Sequence, residues 1–120
     1  MLIAGVNDVY QGGTAAHVIQ QLRWIYDRAA SEGVRVIAGT IIPYNTATPD
    51  QNARMREIND WIRRQADGGH APAFVDTRAA VAAPGTPDML SETGDQLHPS
   101  PAGYRAVAEA IRPVIERVLT

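Results

Sequence analysis

The sequence predicts an α/β domain: a short parallel sheet with helices on both faces. Short, continuous apolar runs at residues 2–6, 34–42 and 73–76 have the pattern of strands buried on both sides. Between them, segments such as Ala15, Val18, Ile19, Leu22, Ile25, Tyr26 and Ala29 place apolar residues at the helical period. Strands that alternate with helices need right-handed crossovers, and those make the strands parallel. The 120 residues fit one domain over 1–120 with a core of its own, although three strands make a thin sheet.

The first run, Leu2 to Val6, ends in Asn7-Asp8 at the carboxyl edge of the sheet, where open α/β sheets place their ligands. Gly12-Gly13 breaks the chain, Thr14 caps a helix to about Ser31, and Gly33 stops it. Val34 to Ile42 reads as the second strand, closed by Pro43. Thr48-Pro49-Asp50-Gln51 is a capping box with proline at the first helical position, opening a helix with Met55, Ile58, Trp61 and Ile62 inward. Ala73 to Asp76 is a third strand, residues 77–83 a short helix, and Pro84 to Gly94 a loop. The last helix spans about 101–119 with Tyr104, Val107, Ala108, Ile111, Val114 or Ile115, and Val118 inward, and Pro113 is expected to kink or split it.

Composition narrows the chemistry. The net charge is −2 with mixed signs, so nothing favours a nucleic-acid or anionic-membrane partner. All eleven basic residues are Arg, and there is no Cys, which excludes thiolate nucleophiles and Cys-ligated metals. No apolar run reaches the roughly 18 residues of a membrane span. Met1 leads straight into Leu2-Ile3-Ala4 with no basic leader, so no signal peptide is expected and localisation is left open. Neither a metal nor a cofactor is expected. His17 and His70 lack ligand spacing with His98, and Gly12-Gly13 is not a phosphate loop. Trp24 and Trp61 read as core or half-exposed packing, and Arg63-Arg64 as a solvated helix end.

The stretch Gly94-Asp95-Gln96-Leu97-His98-Pro99-Ser100-Pro101 carries the chemistry. Two prolines stiffen the backbone, Ser100 offers an N-cap and Pro101 fits the first helical position. Asp95 is placed to accept a hydrogen bond from one imidazole nitrogen of His98, leaving the other free to take a proton from a nucleophile. Taken alone, this spacing also fits a polar loop that merely caps the last helix.

Gly5-Val6-Asn7-Asp8 and Asp95-Gln96-Leu97-His98 together resemble the third and fifth sequence blocks of the SGNH/GDSL hydrolase family. Ile58-Asn59-Asp60-Trp61-Ile62-Arg63 and the stretch from Gly94 to Tyr104 resemble its lysophospholipase-L1-like esterase branch. The resemblance implies a three-layer, flavodoxin-like sheet and cleavage of a small carboxylic ester through an acyl-enzyme. Carried over residue by residue, it makes His98 the general base, Asp95 the residue that orients it and Asn7 a side-chain donor of the oxyanion hole, with Gly5 and Asp8 in supporting, structural roles.

The sequence also departs from the family. The Gly-Asp-Ser nucleophile block is missing, and Ser31, Ser91 and Ser100 do not follow a Gly-Asp pair at a strand end. The resemblance therefore covers the C-terminal two thirds of such a domain, and residues 2–6 become a third strand with an open apolar edge. Three readings follow: a fragment of a full esterase, inactive alone; a chain that pairs with a missing N-terminal segment or with another copy; or a non-catalytic binding or assembly module that uses the open edge.

Overall fold

The computed structural model describes residues 1–69 and 73–120. In chain order the elements are α1 (Val6–Tyr10), α2 (Ala15–Ser31), β1 (Ile37–Gly39), α3 (Pro49–Asp67), β2 (Ala73–Val75), α4 (Thr77–Val81), β3 (Ala82–Ala83), β4 (Thr86–Leu90) and α5 (Pro101–Leu119). β1 lies parallel to β2, with Ile37 opposite Ala73 and Gly39 opposite Val75. On its other side Leu2 pairs in parallel with Ala38. The Leu2 N–H donates to the Ile37 carbonyl at 2.9 Å, and the Gly39 N–H to the Leu2 carbonyl at 3.0 Å. The small parallel sheet thus runs Leu2, β1, β2.

Alternation along β1 divides the core. Ala38 packs with Val18, Leu22 and Tyr26 of α2 and with Met55, Ile58, Trp61 and Ile62 of α3. Ile37 and Val75 instead meet Val114, Ile111 and Val118 of α5. The result is the expected three layers. Tyr26 stacks on Trp61 with ring centres 5.6 Å apart, and burial pushes its phenol up to about 12. The helix starts follow the sequence signals. Thr14 accepts the His17 N–H, Thr48 and Gln51 form the capping box, and Ser100 accepts the Gly103 N–H.

Several expectations change. Residues 2–6 are not a full strand: only Leu2 bridges to β1. Gly5 adopts φ 117, turning the chain into α1, so Asn7 and Asp8 sit in a short helix rather than in a strand-end loop. A Cβ at Gly5 would lie 2.9 Å from Val18 Cγ1 and 3.0 Å from Ile41 Cδ1, so position and backbone both demand glycine. The second strand is three residues long instead of spanning 34–42. Beyond it, side chains replace ladder partners. Asn59 Oδ1 accepts the Ile41 N–H at 2.7 Å and its Nδ2 donates to the Ile41 carbonyl at 3.1 Å. Asp76 leaves β2 to cap α4, its carboxylate accepting the Ala79 N–H.

The short helix expected over 77–83 stops at Val81, and Ala82–Ala83 is instead strand β3, antiparallel to β4 in the stretch read as a loop, the hairpin closing at Pro84-Gly85 with Gly85 at φ 74. The buried Arg78 anchors it by an ion pair to Asp88 at 2.8 Å, and Arg56 adds a second at 2.9 Å. Burial alone would raise the Asp88 carboxyl, but the hydrogen bonds from Arg78 and Arg56 win and hold it below its ordinary value.

α5 runs unbroken through Pro113. Pro113 and Glu109 are both exposed residues, and the proline leaves the Glu109 carbonyl without its helical donor. Only Val114 of its inward residues is fully buried. Tyr104, Ala108 and Ile115 are exposed, since the sheet beneath the helix is narrow. Trp24 is 66% exposed on α2, not core. Arg63 is not simply solvated: it pairs with Asp76 at 3.1 Å and lies over the Phe74 ring.

Replacing Asn59 by Ala leaves the Ile41 N–H without a partner and the Ile41 carbonyl with Arg78 alone. At about 1 to 3 kcal/mol for an unsatisfied buried group, Asn59→Ala is expected to destabilise the fold by about 1 to 3 kcal/mol in urea unfolding. A loss under about 0.5 kcal/mol would show that water replaces the carboxamide.

Candidate active site

Asp95 and His98 lie in the loop between β4 and α5, and the local sequence determines their geometry. Asp95 Oδ1 accepts the backbone N–H of Leu97 at 2.9 Å and of His98 at 2.7 Å, the bonding of an Asx turn. This fixes the carboxylate so that Oδ2 meets His98 Nδ1 at 2.6 Å. The opposite ring nitrogen, Nε2, makes no hydrogen bond among the described residues, and the His98 side chain is 64% exposed. Hydrogen bonds from the His98 ring, and then from the His98 and Leu97 amides, hold the Asp95 carboxyl well below the usual carboxylate range.

Thr93 completes the loop. Its Oγ1 lies 2.7 Å from the His98 carbonyl, accepts the Gln96 N–H at 2.9 Å and approaches Asp95 Oδ1 to 3.2 Å. Gln96 takes φ 64, the left-handed region, and its carbonyl accepts the Asn45 N–H at 2.8 Å. Sequence reading passed over Thr93, although Thr-Gly-Asp is a side-chain turn signal. It quoted Asn59 in the family-like block from Ile58 to Arg63 but gave it no role, although a lone amide on the apolar stripe of α3 was the signal. Arg78 gave no such signal.

Asn7 is the second residue of α1 and is exposed. Its carboxamide has no hydrogen-bond partner among the described residues, so its donors are free. The Asp8 carboxylate likewise has none there; its carbonyl accepts the Gly13 N–H at 2.7 Å and holds the turn after α1. An apolar groove of about 280 Å³ is lined by Val6, which precedes Asn7 in the chain, and by Pro99, which follows His98, with Asn7, Asp95 and His98 themselves outside its lining. Ile3, Ile42, Tyr104 and Val107 complete much of its wall.

Two of the three serines are engaged elsewhere. Ser31 Oγ donates to the Arg28 carbonyl at 2.8 Å. Ser100 Oγ caps α5 and lies 3.1 Å from Glu92 Oε2. Ser91, at the end of β4, lines a separate small cavity with Glu92 and Ala80. His17 sits exposed in the first turn of α2, and His70 lies outside the described residues. Among the described residues no group of three His, Asp or Glu side chains is arranged to hold a metal ion, and no helix is long and apolar enough to cross a membrane.

The fold matches a known class. The model of the GDSL-like lipase/acylhydrolase family matches residues 1–106, and the chain belongs to that family. No curated protein matches it. Among solved structures, a GDSL-like lipase from Bacteroides thetaiotaomicron superposes with TM-score 0.85 at 21% identity, over 97% of this chain and 60% of that one. A putative acylhydrolase from Bacteroides fragilis gives 0.84 at 20% identity, over 98% of this chain and 61% of that one. A member of the lipolytic G-D-S-L family from Veillonella parvula gives 0.80 at 23%, over 97% and 62%. The shared feature is the fold, and this chain spans about 60% of the length of those proteins.

Because the Asp95 carboxyl is lowered on folding, its contribution is fully present above the unfolded value of about 3.9 and is lost as pH falls through the folded value. The carbon-13 resonance of the Asp95 carboxyl is therefore expected to titrate with its midpoint below the ordinary value of about 3.9. A midpoint at or above that value would contradict the Asp95 bonding.

Proposed function

We propose that this chain is the base-bearing part of a serine-type hydrolase of carboxylic esters, forming a single partial domain over residues 1–120. His98 Nε2 accepts the proton of a serine nucleophile as that serine attacks the ester carbonyl. Asp95 holds the ring in the matching tautomer and stabilises the imidazolium that forms. Asn7 donates its side-chain N–H to the oxyanion, and Gly5 and Asp8 shape the turn that presents it. His98 then returns the proton to the leaving alcohol, and water releases the acyl group by the same route in reverse. The observation that carries this reading is the 2.6 Å bond between Asp95 Oδ2 and His98 Nδ1 with the far ring nitrogen free. Family membership supports it.

The serine comes from polypeptide outside these 120 residues: Ser31 and Ser100 are committed to helix ends, and Ser91 lines a different cavity from the apolar groove. That polypeptide pairs with the edge at Leu2, where the backbone is bonded on the β1 side alone. A second reading, in which the same edge serves a non-catalytic assembly module, is favoured by the exposure of Met1 and Ile3 beside the apolar groove.

One set of preparations separates them. The isolated chain is expected to show no turnover of p-nitrophenyl acetate above buffer. The reading frame extended upstream of Met1 is expected to show turnover that falls about 100- to 1,000-fold in Asn7→Ala, the usual loss for one oxyanion donor, and at least as far in His98→Ala. Turnover by the isolated chain that survives replacement of all three serines would contradict the serine route. Concentration-dependent dimerisation abolished by Ala4→Pro, with no ester activity in either form, would establish the assembly module instead.

A further inference from the structure

The loop that carries Asp95 and His98 is closed on itself, the Ser100 N–H donating to the Glu92 carbonyl at 3.1 Å. Among the described residues, its one backbone hydrogen bond to the rest of the protein between those ends is at Gln96, whose carbonyl accepts the Asn45 N–H at 2.8 Å. The same Asn45 uses its side chain on the other flank of the loop: Oδ1 accepts the Leu90 N–H at 2.8 Å, at the end of β4. Asn45 is thus bonded to the hairpin and to the middle of the loop at once.

The residues before Asn45 touch the other half of the site. Ile41 lies directly under Gly5. Ile42 shares the apolar groove with Val6 and Pro99. Tyr44 is fully buried and meets the Tyr10 ring of α1 edge-on at 5.5 Å. Segment 41–45 therefore runs beneath the Gly5–Asp8 block and ends at the Asp95–His98 loop.

We propose that Asn45 is a positioning residue, its side chain locking the peptide that holds Gln96 and so fixing the Asp95–His98 pair relative to Asn7. The backbone bond to Gln96 is available to any residue but proline. The carboxamide is what fixes the direction of that N–H, by tying Asn45 to Leu90. Without the tie, Gln96 loses the bond that stabilises its left-handed conformation, and the turn placing Asp95 Oδ1 on the Leu97 and His98 amides loosens with it. The inference rests on Asp95 and His98 being the acid–base pair, but its test reads their hydrogen bonds and not turnover.

The test is carbon-13 NMR of the Asp95 carboxyl in the 120-residue protein, titrated in the native chain and in Asn45→Ala, Asn45→Ser and Asn45→Asp. In Asn45→Ala the titration midpoint is expected to rise by at least one pH unit toward the ordinary value of about 3.9, with the amide resonances of α2 and α3 unmoved. Asn45→Asp keeps the acceptor for Leu90 and is expected to keep the native midpoint. Asn45→Ser, too short to reach Leu90 from the same backbone, is expected to behave as Asn45→Ala and serves in its place if the alanine variant does not fold. A folded alanine or serine variant with the native midpoint overturns the proposal, as does an aspartate variant that shifts as far as the alanine one. A native chain whose Asp95 already titrates at the ordinary value overturns the acid–base pair itself.

Discussion

Ile41 leaves the sheet with no strand beside it, and the carboxamide of Asn59 satisfies its N–H and its carbonyl together. Arg78 adds a contact to the same carbonyl at 3.3 Å. A buried peptide without such partners costs free energy comparable to lost hydrogen bonds, so this one side chain permits β1 to stop at Gly39. Everything on the carboxyl side of the sheet follows from that stop. Thr40 turns to bond Asp76 and the Arg78 amide, Ile41 fills the space under Gly5, and Tyr44 buries itself against α1.

Rigidity is unevenly distributed as a result. The α2–α3 side rests on large buried groups, among them Met55, Ile58, Ile62 and Tyr44. The opposite side is thinner: α5 buries Val114 fully and covers the sheet with partly exposed residues. At the Leu2 edge the backbone is paired on one flank only, and an apolar groove opens between it and Tyr104. An unpaired, apolar strand edge is a surface suited to receiving another strand. The groove is lined by Val6, which precedes Asn7, and by Pro99, which follows His98.

Much of this was legible in the sequence because it rests on local rules. The caps at Thr14, Thr48 and Ser100 need only a side chain and the next turn of backbone, and the Asp95–His98 bond needs only a three-residue turn. The layer order followed from apolar runs and helical periods. What escaped was set by distant partners. The second strand read long because Thr40, Ile41 and Ile42 are apolar or β-branched, yet after the Thr40 N–H, which still bonds the Val75 carbonyl, the Thr40 carbonyl and both Ile41 groups go to the side chains of Thr77, Asn59 and Arg78. The hairpin after Val81 was hidden because Arg78, Arg56 and Asp88 hold it, and an ion pair across 10 or 32 residues leaves no periodic trace. Trp24 followed the helical period but sits at its solvent edge, where no second element covers α2.

The central claim is that Asp95 presents His98 with its proton on Nδ1 and a bare Nε2 toward the reacting group. Long-range nitrogen-15 NMR of the histidines, at a pH where the imidazole is neutral, reads the tautomer directly. The geometry predicts Nδ1 protonated in a hydrogen bond and Nε2 with the shift of an unprotonated nitrogen. A proton on Nε2 with Nδ1 bare would mean that Asp95 does not orient His98 as a base, and the hydrolase reading of this loop would fall with it.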